Sequence, residues 1–153
     1  MENKLYVKNT VIINAPAAKV WDALVNPEQT KKYMFGCAAV SDWKVGSPLL
    51  WSAEVEGKEI VYVKGIIVDI KPEKFLEYTT IDPNNINVPD LPENYLNVTY
   101  KLSEASGQTV FTATQGDYSQ VAEGAARYKE TVDGGGWQPI LEAIKALVEE
   151  KED

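Results

Sequence analysis

Between Ala39 and Gly116 apolar residues recur with a period of two. The runs are separated by short clusters of turn formers: Val45-Gly46-Ser47-Pro48, Glu56-Gly57-Lys58, Lys71-Pro72-Glu73-Lys74 and Ala105-Ser106-Gly107. A period of two sends successive side chains to opposite faces of a strand, and spacers this short return the chain beside itself. The segment therefore predicts a six-stranded antiparallel meander. Leu76, Tyr78 and Thr80 share a face, as do Val98, Tyr100 and Leu102, and then Thr109, Phe111 and Ala113. One side of the sheet is apolar and aromatic, the other mostly polar. Trp51, Ala53 and Val55 alternate in the same way, whereas residues 60–70 are apolar on both faces around Gly65, which predicts a bend or bulge that lets the sheet curl.

The flanks complete an α+β domain. Residues 5–14 (LYVKNTVIIN) carry the β-branched enrichment of a further strand of about ten residues, which ends at Ala15-Pro16. Pro16 suits the first helical position, and Val20 with Leu24 and Trp21 with Val25 are spaced for a short helix, with Trp21 in its core face. Asn26 is placed to cap a second short helix, with Pro27 at its first position and Glu28 favouring its positive end, running through Lys32 to about Phe35. After the meander, Val121, Ala125, Tyr128 and Val132 fall on one helical face. Gly134-Gly135-Gly136 then interrupts, and Ile140, Ile144, Leu147 and Val148 resume at helical spacing. The closing EEKED reads as a solvated helix end whose acidic residues oppose the macrodipole and favour fraying. Asp82 to Asn94, with three prolines and four asparagines, reads as a long exposed loop, either a lid or an ordinary connection. No repeat or second core appears, so residues 1–153 read as one domain in which a curved seven-stranded antiparallel sheet grips a long C-terminal helix.

Composition narrows the function. A content of 44% hydrophobic residues supports a real core and argues against disorder. A net charge of −8 repels phosphate backbones and anionic lipid heads, so neither nucleic acid nor a membrane surface is an expected partner. The start lacks a basic segment followed by an apolar stretch, and no apolar run approaches the ~20 residues that span a bilayer, which makes a cytoplasmic location the expectation. Histidine is absent, which removes histidine-dependent triads and histidine-containing zinc sites. Cys37, the single cysteine, sits in an apolar Phe-Gly-Cys-Ala-Ala setting and reads as a buried structural residue; as a nucleophile it would need a nearby cation. The glycine run is a hinge or kink and no phosphate cradle, because neither Lys nor Ser/Thr follows it in the phosphate-loop pattern. Asp82, Asp90, Glu93, Glu54, Glu56 and Glu59 fall on loops or strand edges where solvation accounts for them, so no catalytic residue, metal site or cofactor is assigned.

The order of the pieces resembles a known superfamily. Ile13 with Ala15-Pro16 and Val20-Trp21, Leu24 with Pro27, and Trp43 with Val45-Gly46 come first. Gly65 with Pro72, Leu76 and Tyr78, then Thr109, and finally Gly136-Trp137 with Leu141 follow over nearly the whole chain. Together they resemble the START and birch-allergen-like (SRPBCC) superfamily, and within it the branch named after the activator of the heat-shock-protein-ninety ATPase. The resemblance implies a helix-grip fold: a seven-stranded sheet wrapped around the last helix, two small helices closing one end, and a cavity that in other members holds lipids, sterols, hormones or aromatic compounds. The long 82–94 loop and the triple glycine depart from the common pattern.

One helix cannot completely fill a concave sheet, and the remaining gap is lined by whatever faces inward. The candidate ligand-binding residues are Met34, Phe35, Trp51, Tyr62, Tyr78, Tyr100, Phe111, Gln115, Tyr128 and Trp137, whose phenol, indole and amide groups could orient a ligand. For each aromatic the alternative is plain core. Gln115 continues the inward register of Thr109, Phe111 and Ala113; Lys64 either continues that of Ile60 and Tyr62 or points outward at Gly65, and Trp43 could fall on either side. Three functions follow: binding of a small hydrophobic or aromatic molecule, a co-chaperone-like module that contacts a chaperone or other protein, and a cyclase or hydrolase acting without histidine.

Overall fold

The computed structural model describes residues 4–149. The strands are β1 (Val7–Ile13), β2 (Ala38–Ser41), β3 (Pro48–Val55), β4 (Lys58–Lys71), β5 (Phe75–Thr80), β6 (Leu96–Ala105) and β7 (Gln108–Gly116). They form one seven-stranded antiparallel sheet in the order β1-β7-β6-β5-β4-β3-β2. Helices α1 (Ala17–Val25) and α2 (Pro27–Tyr33) carry the chain from one sheet edge to the other, and α3 (Gly124–Asp133) and α4 (Gln138–Glu149) follow the meander. Ile13, Val20, Leu24, Leu49, Ile67, Leu76, Phe111, Leu141 and Ile144 are all fully buried in the core between sheet and helices.

Local chemistry explains the boundaries. The hairpins at Glu56-Gly57 and Ser106-Gly107 place both turn residues at positive φ, the geometry whose twist matches the flanking strands. Asn26 caps α2 by accepting from the Glu28 amide at 3.0 Å, and Thr30 then ties α2 to β2 by accepting from the Ala39 amide at 2.9 Å. Pro16 sits just before α1, one residue outside the first helical position expected of it. Its side chain offers no acceptor, and Glu104 at the end of β6 supplies one instead, accepting from the Ala17 amide at 2.6 Å. The first strand is shorter than the residues 5–14 read from its composition, since β1 pairs only from Val7 to Ile13.

β4 is the pivot. Its first half pairs with β3 and its second with β5, and register slips occur opposite Trp51/Ser52 and between Ile67 and Asp69. The expected bulge thus falls on both sides of Gly65, at Tyr62 and Val68, and not on the glycine. Gly65 instead permits a close approach between strands. A Cβ there would lie 1.6 Å from the Thr79 carbonyl oxygen, so only glycine lets the two backbones meet beside the Lys64–Ile81 bridge.

The gripping helix comes in two pieces. α4 packs Leu141, Ile144 and Val148 against the sheet and against α1. α3 behaves otherwise: Val121 precedes it, and Ala125 and Val132 on the expected apolar face are exposed. Only Gly124 of α3 is buried, against the Tyr118 carbonyl. The 82–94 loop is also less solvated than its composition suggests. Ile86 is 96% exposed but Val88 only 4%, and buried Asn94 holds the loop by donating to the Pro89 carbonyl at 3.0 Å and accepting from the Ala122 amide at 2.9 Å. Of the EEKED segment, residues 150–153 lie outside the described residues. Glu149 is engaged, accepting from the Asn14 amide at 2.7 Å and from Lys145 at 2.5 Å.

Gly65→Ala forces the sheet apart at its pivot and is expected to cost more than about 3 kcal/mol in urea denaturation, or to prevent folding. Acid dependence follows from Asp117 and Glu149. The Leu5 amide, followed by Ser119, holds the Asp117 carboxyl below the usual carboxylate range, and the Asn14 amide with Lys145 does the same for Glu149. Between the lowered folded value and the ordinary unfolded value near about 4 the unfolded chain binds more protons. The contribution is therefore complete above the unfolded value and lost as pH falls through the folded one. Asp117→Asn should flatten the loss of stability measured by urea melts between about pH 5 and about pH 3.

Candidate functional site

A cavity of about 790 Å³ lies between the concave face of the sheet, the loop after α2 and the start of α4. Its wall takes Met34, Phe35, Gly36 and Cys37 from that loop, Trp51, Ala53, Glu54 and Val55 from β3, and Tyr62 and Val63 from β4. Thr80, Val98 and Gln115 come from the next three strands, Thr131 from α3, and Gly136, Trp137 and Ile140 from the glycine break and α4. Buried Trp51, Val98 and Trp137 contrast with Phe35, 87% exposed, and with exposed Val55 and Tyr62, so the cavity has buried walls and an accessible apolar rim.

Trp137 is fixed from several sides. Gly136 passes so close to β1 that a Cβ would lie 2.8 Å from the Asn9 side-chain oxygen, and the Trp137 amide donates to that same oxygen at 2.9 Å. The indole Nε1 donates to Gln115 Oε1 at 3.0 Å, and the indole ring meets Tyr100 edge to face at 5.7 Å. Gln115 accepts from the indole through Oε1, and its NH2 donors have no protein partner among the described residues, at the cavity wall.

Of the sequence-derived candidates, Met34, Phe35, Trp51, Tyr62, Gln115 and Trp137 line this cavity, and Tyr78, Tyr100, Phe111 and Tyr128 do not. Tyr100 is 1% exposed and touches Tyr78, Phe111 and Trp137 edge to face, while its hydroxyl and that of Tyr78 satisfy each other at 2.7 Å. These rings face inward as the alternation requires, but Trp137 and Trp51 stack in front of them. Burial drives both phenols well above their ordinary pKa, so they stay neutral. Tyr128, on exposed α3, packs edge to face on Tyr118 at 5.6 Å instead. Lys64 turns outward because the bulge at Tyr62 inverts the register, and it pairs with Asp90 over a groove of about 460 Å³ on the other face. Trp21 and Trp43 are partly buried against the core.

Sequence reasoning overlooks Cys37, Glu54 and Thr131 as wall residues. Cys37 is buried, and its thiol is pushed up by that burial, which keeps it protonated. Glu54 lies on a strand expected to bury alternate residues, yet it borders the cavity together with its neighbours Ala53 and Val55 at the end of β3. Thr131 is not discoverable from α3's own pattern, because the sheet decides which turn of that helix reaches the cavity. The 82–94 loop contributes nothing to this wall, although Asp82 and Asn85 border a smaller adjoining chamber. Among the described residues no helix is long and apolar enough to cross a membrane.

A curled antiparallel sheet, a helix held in its concavity and a cavity between them define a helix-grip domain of the SRPBCC type. Residues 14–149 match the family model described as Activator of Hsp90 ATPase homolog 1-like protein, and the chain belongs to that family. A Cytophaga hutchinsonii protein solved in solution is 39% identical, with 97% of each chain covered and a TM-score of 0.74. The solution structure of the Aha1 dimer from Colwellia psychrerythraea is 16% identical over 97% of this chain and 99% of that one, TM-score 0.66. The crystal structure of an HSP90 activator from Plasmodium falciparum is 15% identical over 94% and 96%, TM-score 0.66. At these identities the last two share the fold. No curated protein matches the sequence at a significant level.

The Tyr78–Tyr100 contact can be separated from the cavity by mutation. Either single change to Phe leaves one buried hydroxyl unpaired and should cost about 1–3 kcal/mol, while the double change should cost less than the sum, as a double-mutant cycle in urea will show.

Proposed function

We propose that the domain binds a small hydrophobic or aromatic molecule in the cavity between sheet and helix, with Met34, Phe35, Trp51, Tyr62, Gln115 and Trp137 as its contacts. The observation that carries this reading is the fixed Trp137–Gln115 pair on the wall of a largely apolar space of about 790 Å³. Pockets of a few hundred to about a thousand Å³ with few, well-placed polar groups are the usual size and composition of small-molecule sites. The indole offers a flat apolar surface, and the Gln115 NH2 offers donors to an acceptor on the ligand. Tyr78, Tyr100 and Phe111 support the wall from behind, so their loss acts through stability and the position of Trp137.

Native mass spectrometry of the purified protein, with thermal-shift screening against fatty acids, sterols and flavonoids, tests the reading. A co-purifying small molecule or stabilisation by one chemical class is the expected result; an empty protein stabilised by none overturns it. Ala53→Trp should fill the cavity, reducing binding of any hit by at least about tenfold while leaving urea stability unchanged or raised. Gln115→Leu should weaken ligands that carry an acceptor and leave pure hydrocarbons unaffected, as thermal shifts of matched pairs will report.

A second reading, contact with a chaperone, draws on the family and on the accessible apolar rim of Phe35, Val55 and Tyr62. Phe35→Ser with Tyr62→Ser should then abolish stimulation of a chaperone ATPase without changing the melting temperature.

A further inference from the structure

A smaller chamber of about 280 Å³ adjoins the main cavity, and the two share Val63, Thr80, Gln115 and Thr131 as walls. The wall that only the smaller chamber has includes Arg127, with Asp82 and Glu130 beside it. Arg127 is half-buried on α3. Its Nη1 donates to the Ala122 carbonyl at 3.1 Å and the Asn94 carbonyl at 3.4 Å, both neutral acceptors, and among the described residues no carboxylate lies within ion-pair distance of it. Burial pulls its pKa down, opposed by Tyr118 and then by Asp82.

We propose that the ligand is an amphiphile with an acidic head: its apolar or aromatic body lies against Trp51, Val98 and Trp137, and its carboxylate-type head enters the smaller chamber between Arg127 and Gln115. This rests on the ligand-binding reading above. Both groups are donors on the wall of this chamber: the Gln115 NH2 has no protein acceptor among the described residues, and Arg127 engages only Nη1, on two backbone carbonyls, so its other N–H groups remain for a ligand. A planar guanidinium binds a carboxylate or sulfonate through paired N–H groups and does so more strongly away from bulk water. The chain's net charge of −8 does not draw anions from a distance, so recognition depends on this local pair, and Asp82 and Glu130 temper it.

Two fluorescent probes with the same aromatic body separate head from body: 8-anilinonaphthalene-1-sulfonate, which carries an acidic head, and N-phenyl-1-naphthylamine, which lacks one. Titrated into the full chain, both are expected to bind, and both to be lost in Ala53→Trp. Arg127→Gln should weaken the sulfonate probe by about tenfold and the neutral probe by less than about twofold, with Arg127→Lys in between. If Arg127→Gln does not fold, Glu130→Gln on the exposed side of α3 decides the matter by strengthening the sulfonate probe alone. Equal loss of both probes in Arg127→Gln, or no gain for the sulfonate in Glu130→Gln, overturns the acidic head while leaving the ligand reading intact. Failure of the sulfonate probe alone to bind overturns the head, whereas failure of both probes, or binding that ignores Ala53→Trp, overturns the ligand reading and the head with it.

Discussion

The sheet depends on the place where the Gly65 backbone meets the Thr79 carbonyl. A strand of fourteen residues, β4, cannot stay flat and still serve β3 with one half and β5 with the other. The bulges at Tyr62 and Val68 turn it, and the missing side chain at Gly65 lets the Lys64–Ile81 bridge close across the turn. Local right-handed twist increases at bulges, so the curl that makes the sheet concave follows from those positions. Every other feature of the site presupposes that concavity.

The cavity itself follows from the way the concave face is filled. α4 occupies the part next to β1 with Leu141, Ile144 and Val148, while α3 lies largely exposed and reaches the cavity through Thr131. The triple glycine between them lets Gly136 press onto β1, which swings Trp137 to a fixed position on the cavity wall. The aromatic chain of Trp51, Tyr78, Tyr100 and Trp137 then gives the apolar wall a rigid backing, its two phenols neutral and bonded to one another. Rigidity of this kind lowers the entropic cost of holding a ligand.

Much of the architecture is legible because period two, turn chemistry and helix caps are written in neighbouring residues. The six-strand meander, the Asn26-Pro27 helix start and the glycine interruption before the last helix are all local signals, and the structure has them. The differences between sequence and structure cluster where a local pattern meets an irregularity. The inward register of Ile60 and Tyr62 does not carry to Lys64, because a bulge intervenes. Helical spacing alone does not bury the apolar face of α3, and the prolines of the 82–94 loop do not expose it where Val88 and Asn94 anchor it. Tyr78, Tyr100 and Phe111 occupy the face that alternation assigns them but lie deeper than a cavity wall.

By itself the sequence determined the alternation of faces, the turns, the caps and the inventory of chemistry: no histidine, one cysteine and a wealth of inward aromatics. Those are properties of a residue and its near neighbours, which short-range sterics and hydrogen bonding settle. Only the tertiary structure decided which inward residues are core and which face empty space, that Gln115 gives its oxygen to Trp137, and that Arg127 shares a chamber with it. Those facts depend on how a curled sheet, a broken helix and a folded loop come together. Residues far apart in the chain set the depth of each side chain, and no periodicity encodes that distance.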